Sequence, residues 1–214
     1  MPTSLPMVET VVRTMARTAI DNEQHFGALD SVVGDGDFGF SLARGFEKVL
    51  EEFDAIDRKD IGTFLKKVGL IITSRCGGTS GPIWGTGFLR AGTAAGTRTE
   101  LTPADAVAML KAAFEGIQKR GGAELGDKTL LDALAPMIAS FEAGLAAGTE
   151  PHAAFAAAVK AADIAANKTT ELVARRGRAS YTGERSRGSP DPGAMAVALM
   201  ARTVSEACRP VVAS

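Results

Sequence analysis

Apolar residues recur every three or four positions along most of this chain. The pattern runs from Val8 to Ala19, then from Leu42 to Phe53, and then from Ile61 to Ile72. This is the spacing of an amphipathic helix, in which one apolar face packs against a core. No stretch alternates apolar and polar residues for long enough to require a β-sheet, and only Val68 to Thr73 is ambiguous. The periodicity therefore predicts an all-α fold.

Helix starts and stops can be placed from capping residues. Thr102 followed by Pro103 is typical of a helix N-terminus, and Gly121-Gly122 is typical of the end of the same helix. Later segments predict one helix after Asp127 that continues through Pro136 with a bend, one from about Pro151 toward Arg175, and one from Asp191 onward. About eight helices with short connections predict one helical bundle, and we expect a single domain over residues 1–214.

Composition excludes several classes of function. The net charge is -1 and no long basic run exists, which argues against binding nucleic acid through its phosphates. No apolar run approaches the ~18 residues needed to span a membrane. The N-terminal segment lacks a signal-peptide pattern, and the two cysteines, Cys76 and Cys208, are too far apart in sequence to form a metal-binding or redox motif. We therefore expect a cytoplasmic protein with no nucleic-acid or membrane partner.

Three aspartates, Asp30, Asp35 and Asp37, fall within eight positions of one another. Carboxylates this close repel one another unless a cation lies among them, and oxygen-only ligands favour a hard cation such as Mg²⁺. Gly34 and Gly36 would allow the backbone to turn and direct the side chains toward one point. The alternative is a turn plus an N-cap for the following helix, and spacing alone leaves both interpretations open.

Glycine and polar residues also concentrate in other connections. The segment 77–81, Gly-Gly-Thr-Ser-Gly, is typical of a loop that approaches phosphate, and a helix opened by Pro82 would direct its positive end at an anion. The segment lacks the P-loop order, so a helix–helix crossing is the alternative. The segment 126–129 could be only a capped helix start. The basic segment 178–187 is either a solvated loop or a source of arginine for phosphates or for a partner protein.

Taken in order, these segments resemble the L subunit of dihydroxyacetone kinases, which is also found as the C-terminal domain of fused dihydroxyacetone kinases. The resemblance spans nearly the whole chain, and its matching segments are LDSVVGDGDFGFSLARGFEKV, GGTSGPIWGTGFLRA, GDKTLLDAL and GRASYTGERSRGSPDPGA. It implies an antiparallel barrel of helices with a nucleotide site at one end. The implied cofactors are two Mg²⁺ ions and ADP or ATP.

The resemblance also assigns residues. The implied magnesium ligands are Asp30, Asp35 and Asp37, and Arg178 has the implied catalytic role of adding positive charge at the phosphates. The implied nucleotide contacts are Phe38, Gly39, Phe40 and Ser41 beside the phosphates, Thr79 and Ser80 on phosphate, Gly121 and Leu130 at the base and sugar, and Arg178, Asp191, Pro192 and Gly193 closing the site.

A partner is implied as well. Members of the family transfer a terminal phosphoryl group to a short ketose that a separate substrate subunit holds covalently on a histidine, and neither His25 nor His152 has a context for that role. Bound ADP would be recharged by a phosphotransferase-system protein. Phe38 stands where the family has histidine or cysteine, which leaves exchange with free ATP and a tetrulose substrate open. A nucleotide-sensing binding module and a homodimer also stay open.

Overall fold

Helix dominates the structure. The computed structural model describes residues 3–209, so the first two and last five residues of the predicted domain 1–214 lie outside the described residues. The α-helices in the described part are α1 (Leu5–Asp21), α2 (Glu23–Ser31), α3 (Phe38–Glu52), α4 (Ile61–Arg75), α5 (Ser80–Ala95), α6 (Pro103–Gly121), α7 (Leu131–Ala146), α8 (Pro151–Lys168) and α9 (Pro192–Ala207). Short 3₁₀ helices cover Phe53–Ala55, Thr169–Glu171 and Arg178–Ser186, and the strands β1 (Thr3–Ser4) and β2 (Glu100–Leu101) pair antiparallel. The predicted all-α fold is confirmed.

All of these helices except α2 close into a ring. From α3 to α9 each helix packs against the next one in the chain, α9 packs against α1, and α1 packs against α3. The short helix α2 lies against α3 and α9. Neighbours joined by short connections run antiparallel, so the ring is an antiparallel helical barrel. The predicted architecture of about eight helices is confirmed.

The barrel brings alternate connections to the same end, because successive helices reverse direction. The connections at this end are 32–37 between α2 and α3, 76–79 between α4 and α5, 122–130 between α6 and α7, and 169–191 between α8 and α9. They contain the aspartate cluster, the glycine-rich loop, the segment 126–129 and the basic segment. The connections at the opposite end contain none of these motifs. The motifs therefore meet as a consequence of the topology.

Several helix boundaries follow the predicted signals. At the start of α6 the Thr102 hydroxyl accepts from Asp105 N at 3.1 Å, and the Asp105 carboxylate accepts from Thr102 N at 2.8 Å, which completes a capping box. Gly122 follows the end of α6 in the left-handed region. Pro136 lies inside α7, which continues through it as predicted. The ambiguous stretch 68–73 belongs to α4.

Other boundaries differ from the sequence prediction. Helix α8 ends at Lys168 rather than near Arg175. The reason is the buried Thr169 hydroxyl, which donates to Ala166 O at 2.6 Å and accepts from Asp191 N at 2.8 Å and so turns the chain toward α9. Helix α2 has a single buried residue, so it offers no apolar period by which to predict it. The two strands are too short for any periodicity.

An apolar cavity of about 380 Å³ lies inside the barrel. Trp84, Ile117 and Leu130 line both this cavity and a larger one at the end of the barrel that carries the motifs. These three side chains therefore separate an apolar interior from a polar site. Within residues 3–209, no helix has the combination of length and hydropathy that crossing a bilayer requires.

Helices α4 and α5 cross so closely that a glycine is required at the contact. A Cβ added to Gly62 would overlap the carbonyl oxygen of Gly96 and lie 2.6 Å from that of Gly92. Alanine normally stabilises a helix interior by roughly 0.5–1 kcal/mol relative to glycine, whereas overpacking against backbone costs about 1–3 kcal/mol. We expect Gly62→Ala to lower the free energy of unfolding by about 1–3 kcal/mol in urea denaturation.

A matched control is Gly87→Ala in α5. There the nearest atom to an added Cβ is the flexible end of Ile117, Cδ1 at 3.1 Å. The control should unfold within about 1 kcal/mol of the wild type. Equal stability of Gly62→Ala and the wild type would contradict the close crossing.

Candidate functional site

A cavity of about 570 Å³ opens at the end of the barrel where the four motif-bearing connections meet. Its volume lies in the range of sites for small molecules and cofactors. The lining residues that the resemblance had assigned to metal or nucleotide are Asp30, Asp35, Asp37, Phe38, Thr79, Ser80, Gly121, Leu130, Arg178, Asp191, Pro192 and Gly193. Residues from the four connections and from the ends of their helices thus form one site.

The three aspartates converge on one point. One carboxylate oxygen from each of Asp30, Asp35 and Asp37 lies within 4.8 Å of the others. The turn between them needs both glycines, because Gly36 has φ +77° and a Cβ at Gly34 would overlap the Asp30 carboxylate. This donor set fits a hard divalent cation, since it consists of carboxylate oxygens alone and is close enough to share one ion.

Electrostatics support the same conclusion. Burial raises the pKa of Asp30, a hydrogen bond from Phe38 N at 3.3 Å opposes this effect, and the charges of Asp35 and Asp37 raise it further. The charges of Asp35 and Asp37 therefore disfavour the charged form of Asp30 when no cation is present. The capping alternative does not account for Asp37, because Asp37 is the N-cap residue of α3 but its side chain accepts no capping hydrogen bond.

Arg178 reaches the aspartate cluster from the opposite side of the cavity. Its Nε lies 3.0 Å from Asp35 Oδ2, and its Nη1 lies 3.3 Å from Asp37 Oδ2. All three side chains are about half exposed, and exposed ion pairs contribute only about 0–1 kcal/mol to stability. The ion pairs therefore matter less for stability than for bringing a guanidinium group to the carboxylates.

The glycine-rich loop ends at the N-terminus of α5. Gly78 has φ +58°, and the side chain of Thr79 does not cap the helix, although Thr79 is its N-cap residue. Thr79, Ser80 and Pro82 line the cavity, so the positive end of α5 faces it. Such a helix terminus is suited to an anion, and phosphate is the anion that a divalent cation nearby would share.

The segment Phe38 to Ser41 divides between the cavity and the protein interior. Phe38 lines the cavity and packs edge-on against Phe26, with ring centroids 6.1 Å apart. Gly39 is buried where α3 meets α2, and Ser41 is buried behind Gly77. Phe40 is 55% exposed and lies beside the Arg44 guanidinium. Gly39, Phe40 and Ser41 do not line the cavity, so of this segment only Phe38 does.

Asp191 begins α9 at the cavity wall. Its carboxylate caps the helix by accepting from Ala194 N at 2.7 Å. Burial raises the pKa of Asp191 to about 7, although this hydrogen bond favours the charged form. The next residues, Pro192 and Gly193, also line the cavity, and Gly193 lies against Leu130. This cap predicted from the sequence is present and faces the site.

Among the lining residues without a role assigned from the sequence, four carry a charged or an indole side chain. They are Trp84, Arg120, Lys128 and Arg176. Trp84 lies in one of the segments that carry the resemblance but was given no role there, and Arg120 occupies a helix position that carries no motif. Lys128 and Arg176 lie in or beside segments that could be explained as a helix start and a solvated loop. No sequence signal indicates that Lys128 is buried, because lysine is rarely buried unless its charge has partners.

Together these features define a class of protein. Three converging carboxylates, a helix N-terminus and arginine side chains surround one cavity of suitable volume. Carboxylates bind divalent cations, and cationic groups with helix N-termini bind phosphate. The site therefore has the groups that suit a helical protein for binding a phosphate ester together with a divalent cation.

Comparison with known proteins gives the family. The DAK2 domain profile matches residues 32–206, which is most of the chain, so this chain belongs to the DAK2 domain family. It is 40% identical, over 87% of its length and 89% of the relative's, to the ADP-binding subunit DhaL of the PEP-dependent dihydroxyacetone kinase of Escherichia coli (strain K12). It is also 35% identical to the L-erythrulose 1-kinase of Mycolicibacterium smegmatis, covering 93% of this chain and 35% of that protein.

A solved structure has the same fold. The dihydroxyacetone kinase of C. freundii in complex with AMP-PNP and Mg²⁺ superposes with a TM-score of 0.73 at 27% sequence identity. The match covers 96% of this chain and 34% of that one. The chain therefore spans about a third of the length of that kinase.

Proposed function

We propose that this chain is the nucleotide-binding subunit of a dihydroxyacetone-type kinase. It holds ADP or ATP with Mg²⁺ in the cavity at the end of the barrel, and the terminal phosphoryl group passes to a short ketose bound on a separate subunit. The observation that carries the proposal is the convergence of Asp30, Asp35 and Asp37 within 4.8 Å, opposite Arg178. The name of the E. coli relative, an ADP-binding subunit of a dihydroxyacetone kinase, supports it.

Each group in the cavity has a role suited to phosphoryl transfer. The three aspartates would hold two Mg²⁺ ions, and bound Mg²⁺ supplies charge neutralisation on the phosphates. Thr79 and Ser80 would donate hydrogen bonds to phosphate oxygens at the N-terminus of α5. Arg178 would place its guanidinium beside the transferred group, where positive charge stabilises the transition state.

The remaining contacts divide along the cavity. Gly121, at the end of α6, and Leu130, just before α7, line the cavity and would contact the base and sugar. Asp191, Pro192 and Gly193 would close the site from α9. The assignments of Gly39, Phe40 and Ser41 stay predictions, and their position outside the cavity lining gives them at most an indirect role through the packing of α3.

Phosphoryl transfer to a ketose requires two partner proteins in this proposal. The substrate-binding subunit would provide the ketose and its hydroxyl, and a phosphotransferase-system protein would recharge bound ADP. PEP-dependent and PTS-dependent relatives that are subunits of similar length support the recharging. We propose that the whole chain acts as one domain in the cytoplasm. The L-erythrulose 1-kinase relative keeps a four-carbon ketose among the candidate substrates.

Binding should require the cation and the nucleotide together. A ligand that binds only the folded state stabilises it by about 2.7 kcal/mol at one hundred times its dissociation constant. Because the carboxylates and the phosphates share one cavity, Mg²⁺ plus ADP should raise the thermal midpoint by several degrees, and each alone should raise it much less. Differential scanning fluorimetry checks this, with AMP, which has no terminal phosphate pair, as the control nucleotide. A full shift with Mg²⁺ alone would make the aspartates a structural metal site instead.

A further inference from the structure

The side chain of Lys128 ends in the protein interior, although lysine is among the residues least often buried. It is 3% exposed, and its Nζ donates to the carbonyl oxygens of Ser189 at 2.7 Å, Leu172 at 3.3 Å, and Ser186. An ammonium group has three hydrogens, so these three acceptors use all of them. Lys128 lines the nucleotide cavity but has no hydrogen left for a phosphate.

All three acceptors belong to one segment, the connection between α8 and α9. The neighbouring Asp127 holds the same connection at a second point. Its backbone oxygen accepts from Arg175 N at 3.0 Å, and its carboxylate accepts from Arg176 Nε at 3.0 Å. The connection is therefore attached to the α6–α7 loop by polar contacts of both residues.

The loop that carries these two residues is itself fixed. The Asp132 carboxylate accepts from Gly126 N at 2.6 Å and from Thr129 N at 2.8 Å. Lys128 has φ +62°, a conformation that residues with a Cβ rarely adopt. Such a conformation persists where surrounding contacts determine it, and the three carbonyl contacts of the ammonium group are those contacts.

Arg178 lies in the middle of the attached connection. The chain reaches it through Gly177, with φ +63°, directly after the residues that Asp127 holds. Beyond Arg178 the chain returns to Ser186, whose carbonyl Lys128 holds. Both ends of the short segment that presents the guanidinium are thus attached to the same dipeptide.

We propose that Asp127 and Lys128 form a clasp that fixes the connection between α8 and α9 and so positions Arg178 in the nucleotide cavity. Lys128 is a positioning residue that acts through Arg178, and it does not bind the nucleotide. The clasp explains how Arg178 is held in place. The role of Arg178 at the phosphates rests on the proposed function.

The first test measures the connection without nucleotide. Asparagine adopts positive φ readily, so Lys128→Asn removes the ammonium group while keeping the backbone conformation. In hydrogen exchange we expect the amides of Ala174, Arg175 and Gly188 to exchange at least about tenfold faster, with helices α3 to α5 unchanged. Lys160→Asn, at an exposed lysine of α8, is the control for the change of charge and should leave these amides as in the wild type. Unchanged exchange in folded Lys128→Asn would overturn the clasp.

The second test asks whether Lys128 acts through Arg178. With the partner subunit, Mg-ADP and the phosphotransferase-system protein that recharges it, Lys128→Asn should lower kcat at least about tenfold, and it should have little further effect in an Arg178→Ala background. Multiplicative losses in the double variant would overturn the positioning role.

A second variant, Lys128→Met, keeps the aliphatic stem of the side chain. Loss of the whole fold in both Lys128 variants, seen by circular dichroism, would also contradict the proposal. A wild type that binds no nucleotide would contradict the proposed function alone, since hydrogen exchange still decides the clasp.

Discussion

The isolated chain is expected to bind nucleotide yet to phosphorylate dihydroxyacetone at no measurable rate, and its substrate-binding subunit should restore the reaction. The aspartate cluster, Thr79, Ser80 and Arg178 suit a cation or a phosphate, and neither His25 nor His152 lines the cavity. A free triose would not be held in line with the terminal phosphate. Lost positioning of this kind costs about 7–11 kcal/mol of barrier, which corresponds to a rate at least on the order of 10⁵-fold lower.

The assay couples ketose phosphorylation to a spectroscopic readout in the presence of Mg-ADP and the phosphotransferase-system donor, first with this chain alone and then with the substrate-binding subunit added. Rapid phosphorylation of dihydroxyacetone or a tetrulose by the chain alone would contradict the division between two subunits. Binding of Mg-ADP by the same preparation shows that an inactive sample is folded and loaded.

The same assay locates the surface that meets the partner. Arg185 is exposed and lies in the 3₁₀ segment that carries Arg178, a residue of the cavity wall. Arg185→Glu should lower the partner-dependent rate without changing the affinity for Mg-ADP, because reversed charge at a docking edge weakens association. Lys59→Glu makes the same change of charge at the opposite end of the barrel and should leave the rate unchanged. Equal rates for both variants would exclude this edge as the interface.

Replacing one aspartate of the cluster should abolish magnesium-dependent nucleotide binding. Asp35→Asn removes a charged oxygen ligand while keeping the size of the side chain, and Asp35 is half exposed, so the barrel should remain folded. Residues that merely orient metal ligands contribute about 10–100-fold to metal affinity, so loss of a ligand should weaken Mg-ADP binding by at least about 100-fold. Asp57→Asn, at the opposite end of the barrel, is the matched control.

The stability of Asp35→Asn without ligands gives a further check. Three carboxylates within 4.8 Å repel one another, and removing one charge relieves that repulsion. The variant also loses the ion pair with Arg178, which is exposed and contributes little. We therefore expect the variant without ligands to unfold at the same or a higher denaturant concentration than the wild type.

The sequence predicted the fold because helical period, caps and short connections all agree on it. The sequence motifs also come together at one end, because an antiparallel barrel brings alternate connections together whatever their length, and the motifs occupy alternate connections. Where the prediction was incomplete, the deciding contact is non-local. Helix α8 ends early because Thr169 contacts Asp191, which is 22 positions away. No period within a single segment contains that information.

The positions of individual side chains also depend on contacts that the local sequence does not reveal. A resemblance assigned four consecutive residues to the phosphates, yet a helix turns about 100° per residue, so successive side chains cannot share one face. Phe38 lines the cavity, and Phe40 is exposed beside Arg44. Lys128 could not be distinguished from an ordinary helix-start residue, because its three acceptors lie 44 to 61 positions along the chain. Its burial depends on the assembled barrel.

The central claim is that the three aspartates hold the cation that binds the nucleotide phosphates. Titration of ADP followed by the fluorescence of Trp84 tests it most directly, because this is the single tryptophan of the chain and it lines the nucleotide cavity. We predict saturable quenching with Mg²⁺, affinity at least about 100-fold weaker with EDTA, and the same weak affinity for Asp35→Asn in either condition. Tight binding of ADP that is unaffected by EDTA or by Asp35→Asn would contradict the claim.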